Sequence, residues 1–154
     1  MTGDEVTAML AAARKVQLAT INPDGTPHLV AMYYVLISGR ITFWTYRSSQ
    51  KARNLARDPR VTCLVESGEQ YFDLRGVQVR GTAELIADPA AVGEIGRRVA
   101  AGMPGVPAGT PGGAPGTGAL EAYVEHAARK RVGFSVWPDR IISWDHSRLP
   151  GAAG

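Results

Sequence analysis

Cysteine is nearly absent from these 154 residues: Cys63 stands alone, which excludes an internal disulfide framework and any cysteine-built metal cluster. It lies in the apolar run 61–65, where a small buried hydrophobe is the simpler reading than a nucleophile. Histidine is scarce too. His28, His126 and His146 are scattered without metal-ligand spacing, so no metal site is expected. No apolar stretch reaches the roughly 18 residues of a membrane span. Residues 1–5 are acidic and polar rather than basic and then apolar, so no secretory leader is read there and a cytoplasmic location is expected. Charges of one sign never run to five or six in a row, and no RNA-binding or zinc-finger signature is present. The net charge of +3 suits an anionic small ligand better than nucleic acid.

What is present is a string of short β-type segments. Residues 4–14 show helical spacing of Val6, Met9, Leu10 and Ala13. A strand follows at 16–21, then the turn 22–26, in which Pro23 presets φ and Gly25 supplies a positive one. The β-rich run 28–37, a turn at 38–40 and a strand at 41–46 complete an expected antiparallel meander. Ser48 or Ser49 caps a helix to about Asp58, stopped by Pro59. Strand 60–67 comes next. Segment 71–86 is too long for one flat strand, so Gly76 or Gly81 should mark a bend or bulge. Asp88 caps a helix over 89–101, with Pro89 in its first turn.

Residues 102–118 are almost all Gly, Pro and small side chains, which reads as a flexible surface loop. They hold no G-x-x-x-x-G-K-[ST] or G-x-G-x-x-G motif, so this is no nucleotide cradle. A short helix at 119–129 and two strands, 131–137 and 140–144, split by Pro138-Asp139, finish the chain. Such a sequence predicts one domain over 1–154, mainly β with peripheral helices, arranged as a small antiparallel barrel. Regular β–α alternation is missing, which excludes a doubly wound sheet.

The chemistry concentrates in residues 43–55. A strand runs straight into a helix whose first turn offers free N–H groups, the Ser49 hydroxyl and Lys51, with Arg47 at the strand end. Two readings fit these residues: an anion site, or a capped surface helix with a solvated basic face. Lys51 and Arg53 stand about 200° apart around the helix, so they cannot share a face.

The segments 16–28, 41–45, Ser49-Gln50-Lys51, Asn54-Leu55 and 57–61 together resemble the pyridoxamine 5′-phosphate oxidase-like split-barrel superfamily. Within it the chain is most similar to actinobacterial flavin/deazaflavin oxidoreductases of the B group, and residues 142–149 resemble a tail found in some of them. The resemblance covers most of 16–149. It implies a split β-barrel of Greek-key type, homodimeric, with cofactor sites at the interface. It implies that Lys51 and Ser49 hold a cofactor phosphate with Arg47 nearby, and that Asn54 supports the site. Leu29, Val30, Ala31 and Met32 would line the tricyclic ring, largely through backbone groups, with Thr45 and Tyr46 beside it. Where some relatives carry an arginine two residues before the lysine, this chain has Ser49.

The cofactor so implied is coenzyme F-420, with flavin mononucleotide (FMN) as the alternative. The activity implied is hydride transfer from the reduced deazaflavin to an electron-poor conjugated small molecule. A non-enzymatic cofactor or haem-binding protein on the same barrel is the reading from another class. No catalytic side chain is expected, since the cofactor carries the reaction. Asp73 and Glu84 form no obvious carboxylate pair, and the Arg129–Arg131 triplet reads as solvated. The order Asp145-His146-Ser147-Arg148 departs from the Arg-x-His arrangement of pyridoxamine phosphate oxidases proper.

Overall fold

Period-two alternation of apolar residues builds the centre of the molecule. In the computed structural model, which describes residues 1–103 and 117–151, seven strands form one antiparallel sheet. Strand β1 (Lys15–Ile21) buries Val16 and Leu18, and β5 (Arg60–Ser67) buries Val61, Cys63 and Val65. Strand β6 (Arg75–Ile86) buries Val77 and Val79. Register aligns these side chains: Leu18 faces Cys63, which faces Val79. Every second residue thus points into one core. Burial pushes the Cys63 thiol up to about 12, which keeps it protonated and inert.

The strand order is β2-β1-β5-β6-β7-β4-β3. Strands β2 (Pro27–Tyr33) and β3 (Val35–Ile37) therefore sit at opposite ends of the sheet, yet only Tyr34 separates them in the chain. One residue spans at most about 3.6 Å. The two edges must meet, and the sheet curls on itself. Tyr34 is the corner post: it is buried, its N–H donates to the Arg14 carbonyl at 3.1 Å, and its hydroxyl donates to the Leu10 carbonyl. The expected meander is corrected here. The pairings β1–β2 and β3–β4 (Arg40–Tyr46) exist, but the middle run breaks at Tyr34 and its halves join different edges. The β3–β4 hairpin turns on Ser38 and Gly39, both with positive φ (51° and 74°), which matches the twist of the strands.

A second correction concerns the last strands. Pro138-Asp139 does not separate two of them; β7 runs unbroken over Arg131–Asp145. Arg80 faces Arg140 while Gly81 faces Pro138, so Asp139 is the extra residue of a bulge. A proline is tolerated there because a bulge frees a backbone position from the ladder. The bend expected at Gly76 or Gly81 is thereby located at Gly81. A Cβ on Gly81 would lie 1.9 Å from the Trp137 carbonyl oxygen.

Helix α1 (Gly3–Ala12) opens with a Thr2/Glu5 capping box. Helix α2 (Gln50–Arg57) follows β4, and α3 (Pro89–Ala101) is capped by Asp88. Helix α4 (Thr117–Ala128) starts two residues earlier than expected. The flexible stretch expected around 102–118 falls mostly on 104–116, outside the described residues. No described helix is long and apolar enough to cross a membrane.

Candidate functional site

Strand β4 delivers Thr45 and Tyr46 to the start of α2, and the Ser49 N–H donates back to the Tyr46 carbonyl at 3.0 Å. Ser49 caps the helix: its Oγ accepts from the Ala52 N–H at 3.3 Å and lies 3.1 Å from Thr45 Oγ1. When Thr45 donates in that contact, both lone pairs of Ser49 are used and its own O–H is left for an anion. Lys51 follows in the first helical turn. It is half-buried, and it makes no ion pair or hydrogen bond with the described residues. Desolvation lowers its pKa from the usual lysine value. A cation held partly out of water without a counter-charge is a costly arrangement that an anionic ligand relieves.

Behind it, Asn54 fixes the helix. Fully buried, its amide donates to Thr20 Oγ1 and Asn22 Oδ1, each at 3.0 Å, and its oxygen accepts from Gln50 at 2.9 Å. This ties α2 to β1 and sets the angle at which Ser49 and Lys51 are presented.

Lys51 forms one wall of a cleft of about 250 Å³ between the barrel and α3. Met32 comes from β2, Trp44 and Tyr46 from β4, Tyr123 from α4 and Arg131 from the start of β7. The Arg131 guanidinium stacks on both β4 rings, 4.1 Å from the Tyr46 centroid and 4.6 Å from that of Trp44. Register explains the stack, since Tyr46 faces Arg131 and the alternation puts Trp44 on a neighbouring position. Edge strand β2 pairs only with β1, so its outer edge carries backbone N–H and C=O groups that no other described strand takes up.

Residues 2–137 match the sequence profile of a family described as pyridoxamine 5′-phosphate oxidase. The chain belongs to that family. Its fold is shared by a conserved hypothetical protein, Rv2991, of Mycobacterium tuberculosis: 40% identity, 97% of this chain and 89% of that one covered, TM-score 0.84. A solved F-420 reductase is 25% identical over 88% of this chain and 94% of its own, with a TM-score of 0.60. A putative pyridoxamine 5′-phosphate oxidase of Listeria innocua, 15% identical, shares the fold over 92% and 97% of the two chains at TM-score 0.67. Among curated proteins, none matches the sequence.

Within this oxidase-family barrel, the expected ligand-binding residues divide. Met32, Thr45, Tyr46 and Lys51 line the cleft; Ser49 does not, though its hydroxyl contacts Thr45, which does. Val30 points inward and packs on the core. Leu29, 63% exposed, and Ala31 face outward on the other side of β2. Asn54 lies behind the helix rather than in the cleft. Arg47 lines a neighbouring cleft. The basic residues of this region do not share one groove: Arg53 donates to the Ser48 carbonyl at 2.6 Å and Arg57 to that of Ile21.

Sequence reasoning missed Arg131, taken as solvated, and Tyr123. Only the β4–β7 register brings Arg131 to Tyr46, and that pairing joins residues too distant in sequence for local pattern to reveal. The three histidines stay apart, and among the described residues no cluster suits a metal.

Proposed function

We propose that this chain is an oxidoreductase that uses reduced coenzyme F-420 as hydride donor to an electron-poor conjugated small molecule. The observation that carries the reading is Lys51: a half-buried ammonium in the helical turn capped by Ser49, at the edge of a cleft walled by Met32, Trp44 and Tyr46. These residues fit a planar heterocycle with a phosphate on its side chain. Lys51 and Ser49 hold the phosphate, helped by the positive end of α2. Tyr46 and Met32 confine the ring, the free edge of β2 offers it backbone hydrogen bonds, and Asn54 keeps α2 at its angle. When bound and reduced, the deazaflavin supplies the hydride. The protein contributes position and exclusion of water, which is why no acid–base pair is needed. Similarity to the solved F-420 reductase supports the deazaflavin over FMN.

The same reading includes a homodimer and a cytoplasmic location. The adjoining cross-strand rows Leu29–Ala19–Thr62 and Ala31–Gln17–Leu64 give the outer face of β2, β1 and β5 a mixed, partly apolar surface for a second copy. Light scattering at micromolar protein should then give twice the monomer mass.

Titration of the purified protein with F-420 and with FMN tests the cofactor. Binding of F-420 is expected. Binding of FMN alone would move the assignment to a flavin enzyme. Lys51→Ala should weaken affinity by about 1–3 kcal/mol, the worth of a charge-assisted contact. Unchanged affinity would remove Lys51 from the site.

A further inference from the structure

A second cleft, of about 660 Å³, opens between α3 and α4 on the far side of Arg131. The helices run antiparallel there, since Arg97 meets Glu121 while the start of α3 lies beside Ala128. Its walls carry Arg47, Arg97, Arg129 and Arg131 against a single carboxylate, Glu125. These arginines are not equivalent. Arg97 is neutralised by Glu94 at 3.1 Å and Glu121 at 3.4 Å. Arg131 is spent on its two rings and donates to the Ala127 carbonyl at 3.0 Å. Arg47 and Arg129 have no ion pair and no side-chain hydrogen bond with the described residues.

The backbone brings these two together: the Arg47 N–H donates to the Lys130 carbonyl at 2.9 Å, joining the end of β4 to the start of β7. Small residues, Ala87, Ala90, Gly93 and Ala128, leave the space open. Pro89 and Ala90 border the same cleft, and the Asp88 carboxylate caps that end of α3, so the charge for an anion comes from the arginines. Two exposed guanidiniums without an ion pair, at the rim of a roomy cleft, suit a ligand with more than one negative charge.

We propose that the α3–α4 cleft is an anion subsite for a compound bearing two or more carboxylate or phosphate charges, held by Arg47 and Arg129 and separated from the Lys51 cleft by Arg131. The subsite stands whichever cofactor the first cleft takes. Such charges can belong to the acceptor substrate or to an anionic chain on the cofactor itself.

Citrate and inorganic pyrophosphate are the probes, titrated calorimetrically into the protein without cofactor. Binding should be saturable, and Arg129→Gln or Arg47→Gln/Arg129→Gln should raise the Kd about tenfold or more. Arg60→Gln, outside the cleft, should leave it unchanged. No saturable binding, or equal binding in Arg129→Gln, overturns the subsite. Because no cofactor is present, this outcome is separate from the fate of the proposed oxidoreductase activity. The source of the charge is read with Arg129→Gln. Weaker F-420 binding with FMN binding intact assigns the cleft to the cofactor's chain. Unaltered cofactor binding with a raised KM for a carboxylate acceptor, but not for its methyl ester, assigns it to the substrate. The absence of both changes overturns a role for the cleft in the reaction.

Discussion

The two ends of β7 stand at opposite ends of a 15-residue strand, and they use the same residue types in opposite ways. At the far end Asp145 accepts from the Ser147 hydroxyl at 2.6 Å and pairs with Arg75 and Arg148 at 3.3 and 3.4 Å. Arg148 also reaches Glu5, and His146 Nδ1 sits 2.9 Å from the Tyr71 carbonyl. Each of these charges has a partner. At the near end Arg131 is spent on aromatic rings, while Arg47, Arg129 and Lys51 find no counter-charge among the described residues. Partnered polar groups hold a tail to a barrel. Unpartnered ones gather around two clefts, where the proposed ligands would meet them.

Each end also lays a tryptophan on a glycine, and these stacks give the sharpest test of the contrast. A Cβ on Gly76 would lie 2.0 Å from the Trp144 ring, and one on Gly96 would lie 2.4 Å from that of Trp44. Gly76→Ala must displace Trp144 from the sheet and should cost about 1–3 kcal/mol in chemical denaturation. Ligand affinity should stay as it was. Gly96→Ala should cost less, because alanine regains up to about 1 kcal/mol of helix propensity in α3. It pushes Trp44 into the cleft, however, so cofactor affinity should fall with it. Equal effects on affinity would mean that the two ends are not functionally distinct.

Acid separates the ends next. The Ser147 hydroxyl, with Arg75 and Arg148, holds the Asp145 carboxyl below its ordinary 3.8. A carboxylate with a lowered folded-state pKa stabilises above its unfolded value and loses that contribution as pH falls through the folded one. Asp145→Asn should therefore melt below wild type near neutral pH. The gap should close as the pH drops below 3.8. A gap that persists in acid would show that Asp145 acts through shape rather than charge.

The barrel was readable because its signals are local. Alternation marked β5 to the residue, and Asp88 before Pro89 marked α3. The Ser49 cap and Lys51 could be read for the same reason, as cap and first turn lie within a few residues of each other. The break at Tyr34 could not be read, since residues 28–37 look like one strand and only the closure of the sheet bends them. Nor could the bulge at Asp139, where Pro138-Asp139 imitates a turn. Arg131 illustrates the general limit. Its role depends on facing Tyr46, a pairing between residues 85 positions apart that only the folded sheet creates.

The smallest expected effect bears on the cost of leaving a cation unpaired. Burial lowers the Lys51 pKa, so the unfolded chain binds that proton more tightly than the folded one. Stability therefore rises as pH climbs through the lysine range, the reverse of a lysine that gains a partner on folding. Lys51→Met removes the charge and keeps the apolar stem. Near neutral pH it should raise the melting temperature slightly, by less than about 1 kcal/mol in stability because half the side chain remains in water. The advantage should shrink as pH climbs through the lysine range, where wild-type Lys51 sheds its own proton. A variant more stable yet unable to bind ligand would mark Lys51 as a residue kept at the expense of the fold. A destabilised one would show that the ammonium already has a partner in the protein.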